Sequence, residues 1–132
     1  MLKTLTVLFI TLAEINATQA QDCNSSKVGY PTPAAALQAL QKKPGVAISV
    51  QGGWTIVNDR PTLTVWSFTP SAHQAHPAVV RRTAIKKDGA FYVCTSVLCG
   101  GPKPACDKLV AEFNELNNRM RRDLESKRNP KT

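Results

Sequence analysis

Two histidines, His73 and His76, are the residues whose type and spacing most directly suggest chemistry. They form a His-x-x-His pair and are the only histidines in the chain. Imidazole binds Zn and Cu, so the pair suits a metal site in an oxidising compartment. Pro70 and Pro77 favour a loop here, however, where sequence spacing fixes no ligand geometry, and no third ligand lies nearby in sequence. We therefore expect no metal or other cofactor, and a weak two-histidine metal site remains an alternative.

The four cysteines are better explained as structural residues. They are Cys23, Cys94, Cys99 and Cys106. An even number of cysteines in a small exported chain indicates two disulfides. If residues 94–99 form a continuous strand, the Cα atoms of Cys94 and Cys99 lie about 16 Å apart on opposite faces, too far for a bridge. Of the two remaining connectivities we favour Cys23–Cys94 with Cys99–Cys106, and we expect no free thiol.

No catalytic constellation is visible in the sequence. There is no Gly-x-Ser-x-Gly motif and no pair of carboxylates placed for hydrolysis. The glycine pairs Gly52-Gly53 and Gly100-Gly101 lack the Lys-Ser/Thr that a phosphate-binding loop requires. Cysteine acts as a nucleophile only when reduced, and export disfavours the reduced thiol. We therefore predict a protein that is not an enzyme.

The chain is basic, with 17 Lys and Arg against 9 Asp and Glu and a net charge of +8. This excess of positive charge favours an anionic partner. It does not distinguish nucleic acid, lipid headgroups, acidic glycans and acidic proteins from one another. Nucleic acid is disfavoured, because the aromatic content of 6% is only what a core needs and export limits access to it. The cations are densest near the C-terminus, so we predict the following partner-binding residues: Arg119, Arg121, Arg122, Lys127 and Arg128.

The N-terminus has the pattern of an export signal. A positive start at Lys3 precedes an apolar run over residues 4–13, and Thr18 and Ala20 supply small residues at positions −3 and −1. The apolar run is too short to span a hydrocarbon core, which needs about 20 residues. We predict a signal peptide over residues 1–20 and one small domain over residues 21–132. The mature protein would be periplasmic or secreted, without a membrane-spanning segment.

A hairpin centred on Asp88-Gly89 is the strongest structural signal. An Asp-Gly pair between two β-rich runs favours a type I′ turn, in which both turn residues take positive φ. The resulting register pairs Lys87 with Ala90, Ile85 with Tyr92, Thr83 with Cys94, and Val79 with Leu98. Gly52-Gly53 predicts a second two-residue hairpin turn, which places Ile48 opposite Val57.

The remaining elements follow from periodicity and breakers. We predict a helix over residues 33–43, strands over 46–50, 54–58 and 62–68, a helix from Ala105 to about Leu124, and a frayed basic tail from about residue 126. An apolar stripe should pack the last helix on the sheet: Cys106, Leu109, Val110, Phe113, Leu116, Met120 and Leu124. The fold class is α+β, with an N-terminal helix, a five-stranded antiparallel meander and a long C-terminal helix in a two-layer arrangement.

Together these features indicate a small exported, disulfide-stabilised protein that works by binding. The leading interpretation is a non-enzymatic binding or inhibitor/immunity-type module for an acidic protein or another anionic partner. The alternative is a peripheral envelope protein that contacts anionic lipid through its basic C-terminal helix. These two functions require different partners but use the same cations.

Overall fold

The structure is a computed structural model that describes residues 27–128 of the 132-residue chain. Its elements are helix α1 (Pro33–Gln41), strands β1 (Val46–Gln51), β2 (Trp54–Asp59), β3 (Thr64–Phe68), β4 (Ala78–Lys87) and β5 (Ala90–Cys99), and helix α2 (Lys103–Arg128). A short 3-10 turn, Arg60–Thr62, joins β2 to β3. The predicted export signal and Cys23 lie outside the described residues.

The five strands form one antiparallel sheet in the order β1-β2-β3-β4-β5. Each strand pairs with its neighbour in sequence because the connections are short, as in a meander. The predicted register of the β4–β5 hairpin is confirmed, with Thr83 opposite Cys94 and Val79 opposite Leu98. The pairing of Ile48 with Val57 is also confirmed. The predicted α+β class and the antiparallel meander are therefore correct.

The two helices pack on opposite faces of this sheet. Helix α1 contributes Leu40 to a buried cluster that contains Val57 and Val79. Helix α2 contributes Leu109 to a second cluster that contains Val80. Neighbouring residues of a strand point to opposite faces, so Val79 and Val80, both fully buried, require cover on both sides. The predicted two-layer arrangement is therefore wrong, and the sheet is the middle of three layers.

Several element boundaries differ from prediction. Strand β3 begins at Thr64, because Leu63 takes a left-handed conformation (φ 53°) at the end of the 3-10 turn. Helix α1 ends at Gln41, where the backbone N–H of Lys42 donates to the carbonyl of Ala39 and that of Lys43 donates to the carbonyl of Leu40. Helix α2 begins at Lys103 and continues to Arg128, past the predicted end near Leu124. The frayed tail stays a prediction, and residues 129–132 lie outside the described residues.

One predicted disulfide is present and a second cysteine is also bonded. Cys99 and Cys106 are joined across the connection between β5 and α2, with their Cα atoms 5.9 Å apart. Cys94 is disulfide-bonded as well. Its predicted partner, Cys23, lies outside the described residues, so the Cys23–Cys94 pairing remains a prediction. None of the described cysteines is free.

The segment before α1 is held on the face that α1 covers. Val28 is buried, and its carbonyl oxygen accepts a hydrogen bond from Nη1 of Arg81 at 3.2 Å. The ring of Tyr30 packs edge-on against Trp66, with 5.8 Å between the ring centroids. The hydroxyl of Thr32 then caps α1 by accepting from the N–H of Ala35. These contacts fix the start of the described chain against the sheet.

Candidate functional site

The β4–β5 hairpin extends beyond the rest of the sheet. Strand β3 has five residues and its pairing with β4 ends at Thr64 and Thr83, whereas β4 and β5 have ten residues each. Residues 84–93 therefore form a two-stranded ribbon beyond the five-stranded region, and we call this segment the ribbon. Since no third strand of residues 27–128 continues beside it, part of its side-chain surface lies outside the core.

The ribbon exposes several large apolar side chains. Phe91 is 63% exposed and Tyr92 is 50% exposed, and Ile85 and Val93 are each 36% exposed. Alternation places Phe91 and Val93 on the α2 face and the other two on the α1 face. The ribbon thus exposes two large apolar side chains on each of its faces, and exposed apolar surface on a folded protein is a candidate interaction surface.

Cations accompany these apolar residues. The Nζ atom of Lys86 lies 5.7 Å from the centroid of the Phe91 ring, and Lys87 ends β4 next to the turn. Asp88, in the turn, is the only acidic residue between 60 and 102. A basic surface with protruding aromatic side chains is complementary to an acidic partner that also offers apolar contacts.

Arg82 lies half-buried where α2 crosses the base of the ribbon. Its guanidinium carbon is 5.1 Å from the centroid of the Phe113 ring, and its Nη1 donates to Sδ of Met120 at 3.8 Å. Its Nε has no hydrogen-bond partner, and burial lowers the pKa of this side chain. None of the ion pairs found within residues 27–128 includes Arg82. Within the described residues this half-buried cation is therefore held by an aromatic ring and a thioether rather than by a carboxylate.

The predicted binding residues of α2 lie where the helix leaves the core. Nδ2 of Asn117 donates to Oγ1 of Thr95 at 2.7 Å, and Sδ of Met120 makes the last polar contact with the sheet by accepting from Nη1 of Arg82 at 3.8 Å. Met120 is nevertheless 42% exposed and Leu124 is 59% exposed, so the second half of the predicted apolar stripe is largely uncovered. The side chains of Arg119, Arg121, Arg122 and Lys127 are exposed, and Arg128 ends the described helix.

The excess of positive charge lies mainly before the β4–β5 turn rather than on α2, which the sequence analysis missed. Residues 27–87 contain eight Lys and Arg and one acid, Asp59, whereas residues 103–128 contain seven Lys and Arg and five acids. Asp59 is 2% exposed and pairs with Lys43. Three acids of α2 also form ion pairs, including Glu115 with Arg122 at 3.4 Å. The sequence did contain a signal for this distribution of charge, because it has no acidic residue between residues 60 and 87.

The two histidines have structural roles in the loop between β3 and β4. Nδ1 of His73 accepts from the N–H of Ala75 at 3.0 Å, and its ring packs edge-on against Trp54. Nδ1 of His76 lies 3.0 Å from Oγ1 of Thr69. Within residues 27–128 no three His, Cys, Asp or Glu side chains are grouped to hold a metal ion. The structure therefore adds no support to the metal alternative.

A cleft of about 300 Å³ separates this loop from α2. Its polar lining includes His73, Lys108 and Glu112, and the last two form an ion pair of 3.8 Å. The lining residues include no serine, threonine, tyrosine or cysteine that could act as a nucleophile beside the imidazole.

A scan against family models found no match, and no curated protein or solved structure is significantly similar to the chain. Within the described part of the chain, neither helix combines the length and the hydropathy that crossing a membrane requires.

Proposed function

We propose that this protein is an exported, disulfide-stabilised binding module that docks an acidic protein and performs no chemistry of its own. The observation that carries this proposal is the ribbon, which exposes Phe91 and Tyr92 beside Lys86 and Lys87. We define the ribbon site as residues 84–93 together with Arg82 and the exposed part of α2, residues 119–127. An inhibitor or immunity protein that blocks a secreted enzyme is the most concrete version of this function.

The composition of the ribbon site suits tight protein recognition. Aromatic residues and arginine contribute most to protein interfaces, because they bury large areas and form directional contacts. Uncompensated cations attract an acidic surface over distance and accelerate association at low ionic strength. The ribbon continues strands that are anchored in a five-stranded sheet, so little conformational freedom should be lost on binding.

The test is a pulldown from the exported fraction at low and at high salt. The immobilised protein should retain an acidic partner at low salt and release much of it at high salt. The double variant Phe91→Ser/Tyr92→Ser should lose the partner. A matched control is Leu63→Ser, because Leu63 is exposed to the same degree (62%) but lies outside the ribbon. Retention of no protein at low salt would contradict the proposal.

The exposed apolar residues also favour a second candidate, a peripheral membrane protein. Phe91 and Leu124 could insert at a lipid interface while nearby lysines contact anionic headgroups, each cation adding about 1 kcal/mol. Flotation with vesicles of phosphatidylglycerol and phosphatidylcholine tests this function against vesicles of phosphatidylcholine alone. Binding that requires phosphatidylglycerol supports it, and binding to neither vesicle removes it.

A further inference from the structure

The edge of the sheet opposite the ribbon carries a second interaction surface, formed by β1. Within residues 27–128, β1 pairs with β2 and has no neighbour on its other side. We propose that two copies of the chain pair through this edge, with antiparallel β1 strands, so that one sheet continues through both copies. This inference does not depend on the proposed function.

The turn after β1 determines which backbone groups face outward. Gly52 and Gly53 both have positive φ, 57° and 82°, and the pair Gln51–Trp54 closes this two-residue turn. The closing pair of such a turn exchanges hydrogen bonds, and hydrogen-bonded pairs then alternate along the ladder. Gln51, Ser49 and Ala47 therefore direct their backbone groups toward β2. The intervening residues direct theirs away from the sheet: Val46, Ile48 and Val50.

The same three residues carry the apolar side chains of the strand. Val46 is partly buried against the cluster beneath α1, whereas Ile48 is 43% exposed and Val50 is 71% exposed. All three lie on the α1 face, since they alternate with Ala47 and Ser49. Outward-facing backbone groups and uncovered β-branched side chains thus coincide. Natural proteins usually protect such an edge with charged residues, proline or a bulge.

A second copy of β1 is complementary to this edge. When the twofold axis passes beside Ile48, this residue pairs with Ile48 of the second copy, and Val46 pairs with Val50 of the second copy. Each of these pairs can exchange both of its backbone hydrogen bonds, because every member has outward-facing groups. The exposed apolar side chains then meet on one face, which removes them from water.

The distribution of charge favours a second copy over an acidic peptide at this edge. Strand β1 has no charged residue, so an acidic strand would meet no cation along it. The cations nearest to β1 in sequence are Lys42 and Lys43, which precede the strand. Antiparallel pairing places them beside the uncharged Gly52-Gly53 turn of the second copy, which keeps the two lysine pairs at opposite ends of the interface.

Pairing through β1 leaves the ribbon site open in both copies. Strands β1 and β5 are the two edges of the described sheet, so the ribbons of a dimer lie at its far ends. A dimer of this kind is bivalent, and two linked sites bind a clustered or dimeric partner more tightly than one site does. Self-association and partner binding therefore use separate surfaces.

Sedimentation equilibrium of the purified chain tests the proposal. The average mass should rise toward twice the monomer mass as the concentration increases to about 1 mM, the weak end of specific association. Added salt should strengthen the dimer, because each copy carries +8 and the copies repel each other. Binding of an acidic partner should instead weaken with salt, so the two proposals fail independently. A monomer at every concentration and salt level overturns this one.

Two variants localise the interface. Ile48→Pro removes an outward-facing N–H without removing a bond to β2, and Val50→Lys places a charge at the edge. Each variant should raise the Kd of the dimer at least tenfold, which corresponds to about 1.4 kcal/mol. The control Asn58→Lys adds the same charge to an exposed position of β2, one strand from the edge, and should leave the dimer nearly unchanged. A dimer that survives both edge variants overturns the proposed interface.

Hydrogen exchange provides an independent readout that does not require a variant. In dilute solution the amides of Val46, Ile48 and Val50 should exchange faster than those of Ala47, Ser49 and Gln51. At high concentration the first group should become protected while the second changes little. Protection of the first group already in dilute solution, where the protein sediments as a monomer, would show that another segment covers the edge and would overturn the proposal.

Discussion

At the scale of single residues, Asp59 is the acid with the most clearly defined environment. It is buried at the end of β2, and Oδ2 accepts from Nζ of Lys43, which follows α1. This hydrogen bond holds the pKa of Asp59 below its ordinary value, although burial acts in the opposite direction. The pair joins the end of α1 to the sheet, so it contributes to stability rather than to the charge of the binding surface.

We predict that Asp59→Asn lowers the free energy of unfolding at pH 7 by about 1.5–3 kcal/mol, the range for a hydrogen bond to a charged group. The carboxylate's contribution is fully present above its unfolded pKa of about 4 and is lost as the pH falls through the lower folded pKa. Urea denaturation from pH 7 downward should therefore show the difference between the variant and the native protein shrinking in acid.

The control for this prediction is Asp107→Asn. Asp107 pairs with Lys103 at 2.7 Å, but both side chains are largely exposed, and exposed helix pairs contribute only about 0.5 kcal/mol or less. If Asp59→Asn lowers the free energy of unfolding no more than Asp107→Asn does, the structural role of the buried pair is contradicted.

Leu63 is a residue whose backbone conformation conflicts with its type. It has a φ of 53° and is 62% exposed, so its side chain gains little from packing. The left-handed region costs an L-residue about 1–2 kcal/mol. We predict that Leu63→Gly raises the free energy of unfolding by about 0.5–1 kcal/mol, because glycine removes this strain at a smaller entropic cost. Thermal unfolding measures the change, and Leu63→Val should be destabilising. Equal effects of both substitutions would contradict the assigned strain.

At the scale of elements, the two halves of the apolar stripe of α2 differ in burial. Its first half packs on the sheet through Leu109, and its second half extends past Asn117 with Leu124 exposed. Helical periodicity is the same in both halves, so it cannot indicate where the sheet ends beneath the helix. The proposed binding role of the second half depends on this exposure.

The same substitution at two positions of α2 tests this division. Leu109→Ala should lower the free energy of unfolding by about 2–5 kcal/mol, because it opens a cavity at a site that is 1% exposed. Leu124→Ala should cost less than about 0.5 kcal/mol, as for other surface substitutions. Denaturant titration of both variants provides the comparison. Similar costs at the two positions would show that the stripe packs along its whole length.

At the scale of the whole molecule, the Cys99–Cys106 bridge ties the last strand to the helix that carries half of the ribbon site. We predict that the double variant Cys99→Ala/Cys106→Ala lowers the free energy of unfolding by about 2–3 kcal/mol, the chain-entropy value for a short loop. Chemical denaturation measures this loss of unfolding free energy.

Thiol titration of unfolded, unreduced native protein should detect no free cysteine. Two reactive thiols would contradict the prediction that both bridges form.

Local chemistry allowed the sequence alone to determine the register of two hairpins, β1–β2 and β4–β5. Asp88-Gly89 and Gly52-Gly53 tolerate the positive φ that two-residue turns require, and such turns fix the register of the strands beside them. The Cys99–Cys106 bridge was predictable for the same reason, since it closes a short loop. Interactions between residues close in sequence depend little on the remainder of the fold.

Only the tertiary structure decided which face each helix covers and which charges remain uncompensated. Val79 and Val80 are both apolar, so alternation could not indicate one core face, and the packing of α1 and α2 on opposite sides resolves it. Arg82 resembles any strand arginine in sequence. Its half-buried position under α2, away from the ion pairs of the described chain, depends on the contact of Phe113 and Met120 with β4. Burial and charge compensation arise from contacts between residues far apart in sequence, and local patterns do not encode them.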